Sequence, residues 1–239
     1  MNKLFCNTPA LGIIGGMGPM ASAYFQELLV RFTDAAADQQ HIPSVLLNLP
    51  QVPDRTAYIL GESDKSPAPV LLEAARTLEA LGVSAIAVTC VTSHCFYDEV
   101  APQIGVPWIH AVRETARYLK EKGVGKAGIL ATTGTIKTGL FQRELEKAGI
   151  GWEVPSPERQ ADVMAVIYED IKAGREPDME RFTRAEDSLR KKGCDACILG
   201  CTELSLIKRD HPLPGCTDVL EVLAAAAVRA CGKTVKGFS

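Results

Sequence analysis

Aromatic side chains make up only 6% of this chain. No apolar run approaches the roughly 20 residues that a membrane-spanning helix needs. Neither sign of charge is in large excess: the net is −3, so no basic surface points to nucleic acid or to an anionic lipid surface. The opening Met1-Asn-Lys-Leu-Phe-Cys-Asn-Thr-Pro9 has one cation and no apolar core of signal-peptide length, so a soluble, cytoplasmic protein is expected. A complete metal-ligand set is missing too, although Cys194 and Cys197 have redox or zinc spacing. Cys194-Asp-Ala-Cys197 overlaps a strand and has no second pair to complete a four-ligand zinc set, so it reads as core. His41, His110 and His211 stand at no ligand spacing. No lysine is marked by a pyridoxal phosphate motif, and neither metal nor cofactor is expected.

What is present is a chain of 239 residues, 46% hydrophobic, long enough for one large domain or two small ones. Its eight cysteines are expected to be reduced and mostly to pack as small apolar groups. Short apolar runs alternate with amphipathic stretches, which predicts repeated βα units, parallel sheet and an α/β fold. Residues 10–15 read as a buried strand, followed by a turn at 16–18 and a helix from Pro19 to about Ala36. A second strand covers 45–49. Residues 50–67, with Pro50, Pro53, Gly61 and Pro67, read as a long functional loop.

A helix over 69–81, a strand over 85–89, a helix over 95–102 and a short strand at 108–110 close the first half. Helix 111–122 bridges to the second half. There strand 127–130, helices 138–147, 157–172 and 179–192, and strand 196–199 repeat the theme. A last helix, from Val219 to about Cys231, is expected to return to the first half. The result is two tightly packed domains, residues 1–112 with 213–239 and residues 113–212.

The halves repeat in detail. Gly12-Ile-Ile-Gly-Gly-Met-Gly18 with Phe25-Gln26 returns at a constant offset as Gly128-Ile-Leu-Ala-Thr-Thr-Gly134 with Phe141-Gln142. Gly82-Val-Ser-Ala-Ile-Ala-Val-Thr-Cys90 returns as Gly193-Cys-Asp-Ala-Cys-Ile-Leu-Gly-Cys201. A duplicated α/β unit buries its pseudo-symmetry axis in a cleft between the domains, with equivalent residues facing across it. Open α/β sheets bind ligands beyond the carboxyl ends of their strands, and all four motifs fall there.

Each half thus delivers one thiol, Cys90 or Cys201, to the cleft. Two facing thiols suit a reaction that removes a proton from one face of a carbon and returns it to the other: racemisation without a cofactor. Each strand-end thiol should gain from the dipole of a following helix, which predicts a pKa lowered from about 8.5 toward neutrality. Charge developing on a substrate carboxylate calls for donors. Thr92, Thr202 and the loop Thr132-Thr133-Gly134-Thr135 offer hydroxyls and amides, and Gly16-Met17-Gly18 lets backbone approach closely. Arg55, among the turn residues 51–56, is placed to grip a side-chain carboxylate with both prongs. Each feature has a plainer alternative: inert core thiols, turn-building threonines and glycines, a solvated arginine. Equivalence under the repeat favours function for the cysteines.

Gly16-x-Gly18-x-x-Ala21 also fits the dinucleotide fingerprint. The acidic residue that should close a second strand is not there, because Asp34 and Asp38 precede strand 45–49.

On these residues the chain resembles the aspartate/glutamate racemase family, most closely its aspartate racemase branch. The resemblance spans nearly the whole length: residues 12–19, 50–61, Cys90-Val-Thr-Ser-His94 with Phe96-Tyr-Asp-Glu99, Ala131-Thr-Thr-Gly-Thr135 and Gly200-Cys-Thr-Glu203. It implies a pseudo-symmetric pair of α/β domains, a homodimer, and independence of pyridoxal phosphate and metal. It implies that Cys90 and Cys201 are the acid/base pair and that Arg55 recognises the substrate's distal carboxylate. It places Met17, Thr92, Thr133, Thr135 and Thr202 around the amino-acid head group, with Val91, Thr132, Gly134 and Glu203 completing the expected binding set.

Three departures stand out. Val91 replaces the asparagine common in relatives and cannot make its hydrogen bonds. Ala161 stands where some aspartate racemases carry a lysine, which removes a cation from beside Arg55. Cys95 replaces an aromatic or aliphatic residue. The resulting expectation is an isomerase that interconverts L- and D-aspartate and accepts glutamate. The alternatives are a dicarboxylate decarboxylase or cis–trans isomerase on the same fold, and an acidic-ligand-binding protein without turnover.

Overall fold

The computed structural model of the protein describes Phe5 and residues 8–238; Cys6 and most of the opening segment lie outside the described residues. Strand β1 (Leu11–Gly15) is buried throughout, as its small and branched apolar residues allow in a sheet covered on both faces. Gly16 follows at φ 93, and a Cβ there would stand 2.3 Å from the backbone nitrogen of Leu49, so the turn requires glycine. Helix α1 (Pro19–Phe32) stops short of Ala36. Thr33 turns extended and bridges Val235, and Asp34 donates its amide to the carbonyl of Thr234, so tertiary pairing overrides helix propensity.

Strand β2 (Ser44–Asn48) pairs parallel with β1. Helix α2 (Arg55–Leu60) occupies the segment expected to be a loop. Asp54 caps it by accepting the Ala57 amide at 2.8 Å, a signal obscured by the neighbouring prolines. Helix α3 (Ala68–Leu81) buries Leu71, Ala74, Ala75 and Leu78, the spacing of a single helical face, and ends on left-handed Gly82. Strand β3 (Ala85–Val88) then leads to Cys90. The helix expected over 95–102 is replaced by a 3-10 turn (Val91–Phe96), short helix α4 (Tyr97–Val100) and a second 3-10 turn. The strand expected at 108–110 is reduced to one parallel bridge, Trp108 to Ile86. Helix α5 (Ala111–Glu121) connects the halves.

The second half runs β4 (Lys126–Leu130), α6 (Thr133–Lys137), α7 (Leu140–Ala148), β5 (Gly151–Glu153) and α8 (Pro157–Ala165). It continues with α9 (Met179–Arg190), β6 (Ala196–Leu199), α10 (Thr202–Asp210), β7 (Cys216–Asp218) and α11 (Val219–Ala230). Gly139 at φ 67 separates α6 from α7, so the helix expected from residue 138 begins at Leu140. Helix α8 passes into a π turn, Val166–Ile171, rather than running regularly to Lys172. Strands β5 and β7, three residues each, are too short to show a period in sequence.

Two parallel sheets result, ordered β2-β1-β3 and β5-β4-β6-β7. In both, the first strand of the half is flanked by the second and third. The Trp108 bridge beside β3 also occupies the place of β7 beside β6. One apolar core draws on both halves and is filled by α1, α5, α7 and α11. Helix α11 packs on both α1 and α5 and is buried almost all round, as its run of alanine, leucine and valine requires.

The amino end of α11 holds a buried carboxylate. Asp218 accepts the Leu220 amide at 2.8 Å and the Ser205 hydroxyl at 2.6 Å. Burial, then the nearby Glu221, pushes its pKa up to about 7. Between its unfolded value and about pH 7 the native state holds a proton that the unfolded chain releases, so this group's contribution to stability falls as pH rises through that window. Asp218→Asn cannot ionise. Urea unfolding at about pH 5 and about pH 8 should show wild type losing ground to this variant at the higher pH. A difference independent of pH contradicts a proton on Asp218.

Candidate active site

Cys90 leaves the carboxyl end of β3 in extended conformation, and Cys201 leaves the equivalent end of β6. Both are 6% exposed. Together they line one gap of about 10 Å3, roughly the space of a single water. Met17, Arg55, Val91 and Thr92 from the first half border the same gap, and Thr132, Thr202 and Glu203 border it from the second. Nine of the expected residues therefore converge.

Thr133, Gly134 and Thr135 are not on that boundary. The Thr133 hydroxyl accepts from Gln160 Nε2 at 3.3 Å, and its amide points to Met164. Gly134 packs so closely on Thr56 that a Cβ would stand 3.0 Å from the Thr56 backbone. Thr135 lies behind the gap. Its hydroxyl is 2.8 Å from that of Thr92 and 3.1 Å from that of Thr132, which itself is 3.1 Å from Thr92. This closed triangle joins the halves and uses donors that sequence alone assigned to a ligand.

Three side chains on the boundary carried no sequence signal as site residues: Thr56, Tyr168 and Lys172. Lys172 comes from the end of the π turn, and its Nζ is 2.7 Å from Glu203 Oε1. It places a second cation near Arg55, from a position other than 161, and Glu203 already pairs with it. Burial opposes the charge on Lys172, but Glu203 and then Cys201 hold its pKa above the ordinary value. Tyr168 Oη donates to Asp54 Oδ2 at 3.3 Å, across the two halves. Burial, chiefly, pushes its pKa up to about 12.

Arg55 is 7% exposed. Its Nη1 donates to the carbonyls of Val52 and Pro53 at 3.1 and 3.0 Å, and its Nη2 reaches the Met17 carbonyl at 3.5 Å. Nε is buried without a partner. Burial works against this cation, yet the Cys90 sulfur beside it raises its pKa overall.

The helix-dipole expectation fails for Cys201. Its Sγ donates to Glu203 Oε2 at 2.8 Å. Burial and the Glu203 charge push its pKa well above the usual thiol value, with Lys172 only partly opposing them. Cys201 does stand at the mouth of α10, but Cys90 precedes a 3-10 turn, so the two thiols do not share the helix setting expected of both.

Outside the gap lies an open cleft of about 530 Å3 that shares Met17, Arg55, Lys172 and Glu203 with it. Gly16 and Gly18 line this cleft, so the glycine turn borders the site. Among the described residues no group of three or more His, Cys, Asp or Glu is placed to hold a metal ion. His94 is buried against both His110 and Trp108, and His110 packs on Tyr97 as well. Burial lowers the pKa values of the two histidines to about 3 and about 4, which keeps both neutral. Cys95 is pushed up to about 12, by burial and then by Cys90, while Cys197 and Cys216 are core thiols side by side on β6 and β7.

The fold has known counterparts. Picrophilus torridus aspartate racemase superposes with a TM-score of 0.81 at 30% identity, covering 95% of this chain and 96% of that one. An aspartate racemase homologue from Pyrococcus horikoshii OT3 shares the fold at 23% identity and a TM-score of 0.74, over 94% and 99% of the two chains. The broad specificity amino-acid racemase RacX of Bacillus subtilis (strain 168) is 26% identical over 208 residues, 84% of this chain and 88% of its own. A family model for Asp/Glu/Hydantoin racemase matches residues 14–230. The chain belongs to the Asp/Glu/Hydantoin racemase family and is an isomerase.

Proposed function

We propose that the protein interconverts L- and D-aspartate, and accepts glutamate, by proton transfer between Cys90 and Cys201 without pyridoxal phosphate or metal. The observation that carries this reading is that both thiols border one gap together with two cations. A gap of about 10 Å3 is far smaller than an amino acid, so substrate coming from the outer cleft parts its walls as it binds. Arg55 and Lys172 then meet the distal carboxylate. Both already have partners, Arg55 in main-chain carbonyls and Lys172 in Glu203, so the substrate replaces or shares contacts that exist beforehand.

With Cα between the sulfurs, one sulfur removes the α-proton and the electron pair passes into the α-carboxylate. The Thr202 hydroxyl borders the space where that charge grows and supplies a donor to it, while those of Thr92 and Thr132 reach it only by leaving their bonds with Thr135. The opposite thiol returns a proton to the other face. Burial favours the chemistry by excluding water from the carbanion. The same reading takes the working unit as a cytoplasmic homodimer; of the expected division into residues 1–112 with 213–239 and residues 113–212, the second part also takes in β7, which pairs with β6.

L-aspartate incubated with the enzyme in deuterium oxide should gain deuterium at Cα as the D enantiomer forms, read by NMR and chiral chromatography. No exchange with either aspartate or glutamate contradicts the proposal. Cys90→Ala and Cys201→Ala should each lower racemisation by about a thousandfold or more, while exchange of a single enantiomer survives in one of them. Arg55→Lys, which loses the two-pronged grip, should raise KM for aspartate about tenfold or more with a smaller change in kcat. An unchanged KM places Arg55 outside substrate recognition.

A further inference from the structure

The repeat that matches Cys90 with Cys201 also matches Thr92 with Glu203, each two residues past its cysteine. Here the symmetry of chemistry ends. Thr92 spends its hydroxyl on Thr132 and Thr135. Glu203 instead turns to its own cysteine, with Oε2 2.8 Å from Cys201 Sγ and Oε1 2.7 Å from Lys172 Nζ. Sulfur and carboxylate at that separation, in a gap nearly closed to water, cannot both be bare anions without strong repulsion, so a proton lies between them. Cys90 faces the Arg55 guanidinium instead. The charged and titratable groups around Cys201 are Glu203 on α10, Lys172 and Tyr168 at the π turn, Arg55 on α2 and Cys90 after β3.

We propose that Glu203, anchored by Lys172, is a positioning residue that holds Cys201 as the thiol of the resting enzyme and so divides the labour between the cysteines. Cys201 is the acid of the first turnover, and Cys90 is left as its base. This rests on the two-cysteine reading above. Cys90 takes the Cα proton, and the C–H electron pair moves into the carboxylate as an enolate. The Cys201 S–H bond then breaks as its proton joins the opposite face, the enolate pair forming the new C–H bond. Cys201 is left as the anion and Cys90 as the thiol. Solvent restores the start by taking one proton from Cys90 and giving one to Cys201, and the carboxylate of Glu203 drives that return.

Iodoacetamide alkylation followed peptide by peptide, over about pH 6 to about pH 10, reads each cysteine without turnover. Cys90 should be modified at lower pH than Cys201, although their exposure is equal. Glu203→Gln should shift the Cys201 curve down by about one pH unit, roughly tenfold faster labelling below the midpoint, and leave the Cys90 curve in place. Glu203→Asp should restore most of the wild-type curve. A Cys201 curve that Glu203→Gln does not move overturns the role of Glu203, as does an equal shift of both cysteines. A lack of Cα exchange in the wild type overturns the racemase reading alone, because the labelling pattern does not depend on it.

Discussion

A carboxylate 4% exposed, bound to an ammonium on one side and a thiol on the other, sets the electrostatics of the cleft. Buried alone, the Glu203 charge would be costly; Lys172 offsets it and the Cys201 proton completes its hydrogen bonding. The surroundings are shaped to this group. Gly18 from the first half approaches so closely that a Cβ would stand 3.1 Å from Glu203 Oε1. The π turn brings Lys172 to the same point, where a regular helix would present a different face. The cations in the cleft are therefore not free charges waiting for an anion. They are already partnered, and any acidic substrate competes with Glu203 and with the carbonyls around Arg55.

The fold delivers the two sulfurs by repetition and differentiates them by local detail. Strands β3 and β6 lie beside β1 and β4 in corresponding places, so their carboxyl ends release Cys90 and Cys201 toward one boundary. Beyond those ends the halves diverge into a 3-10 turn after Cys90 and a helix after Cys201. Equal sulfurs in equal settings would have no preferred direction of first proton transfer. On the two-cysteine proposal, unequal settings give the enzyme a defined resting state.

Much of this was legible in the sequence. The repeat located both cysteines, the glycine turn and the threonine loop, because short strands with small residues at their ends leave a recognisable register of glycine and β-branched residues. Helices with a clear apolar face, such as α3, were also readable. What escaped has identifiable physical causes. Helix α2 is a single capped turn and a half whose prolines looked like loop chemistry. Lys172 lies in a segment of ordinary helical composition, and only the π turn aims it inward. Thr135 was given to the ligand because a hydroxyl in a loop says nothing about whether another threonine will reach it first. The thiol of Cys201 was expected to be acidified by its helix, but a carboxylate two residues on outweighs a half-charge at a helix end.

The central claim is geometric: one carbon is held between two sulfurs that approach it from opposite faces. A crystal structure of the protein with aspartate bound tests it most directly. The account expects Cα to lie between Cys90 and Cys201, roughly 3.5 Å from each sulfur, with the side-chain carboxylate on Arg55 and Lys172. Aspartate seated in the outer cleft with both sulfurs on one side of Cα, or with either sulfur sealed away from it, would contradict the account.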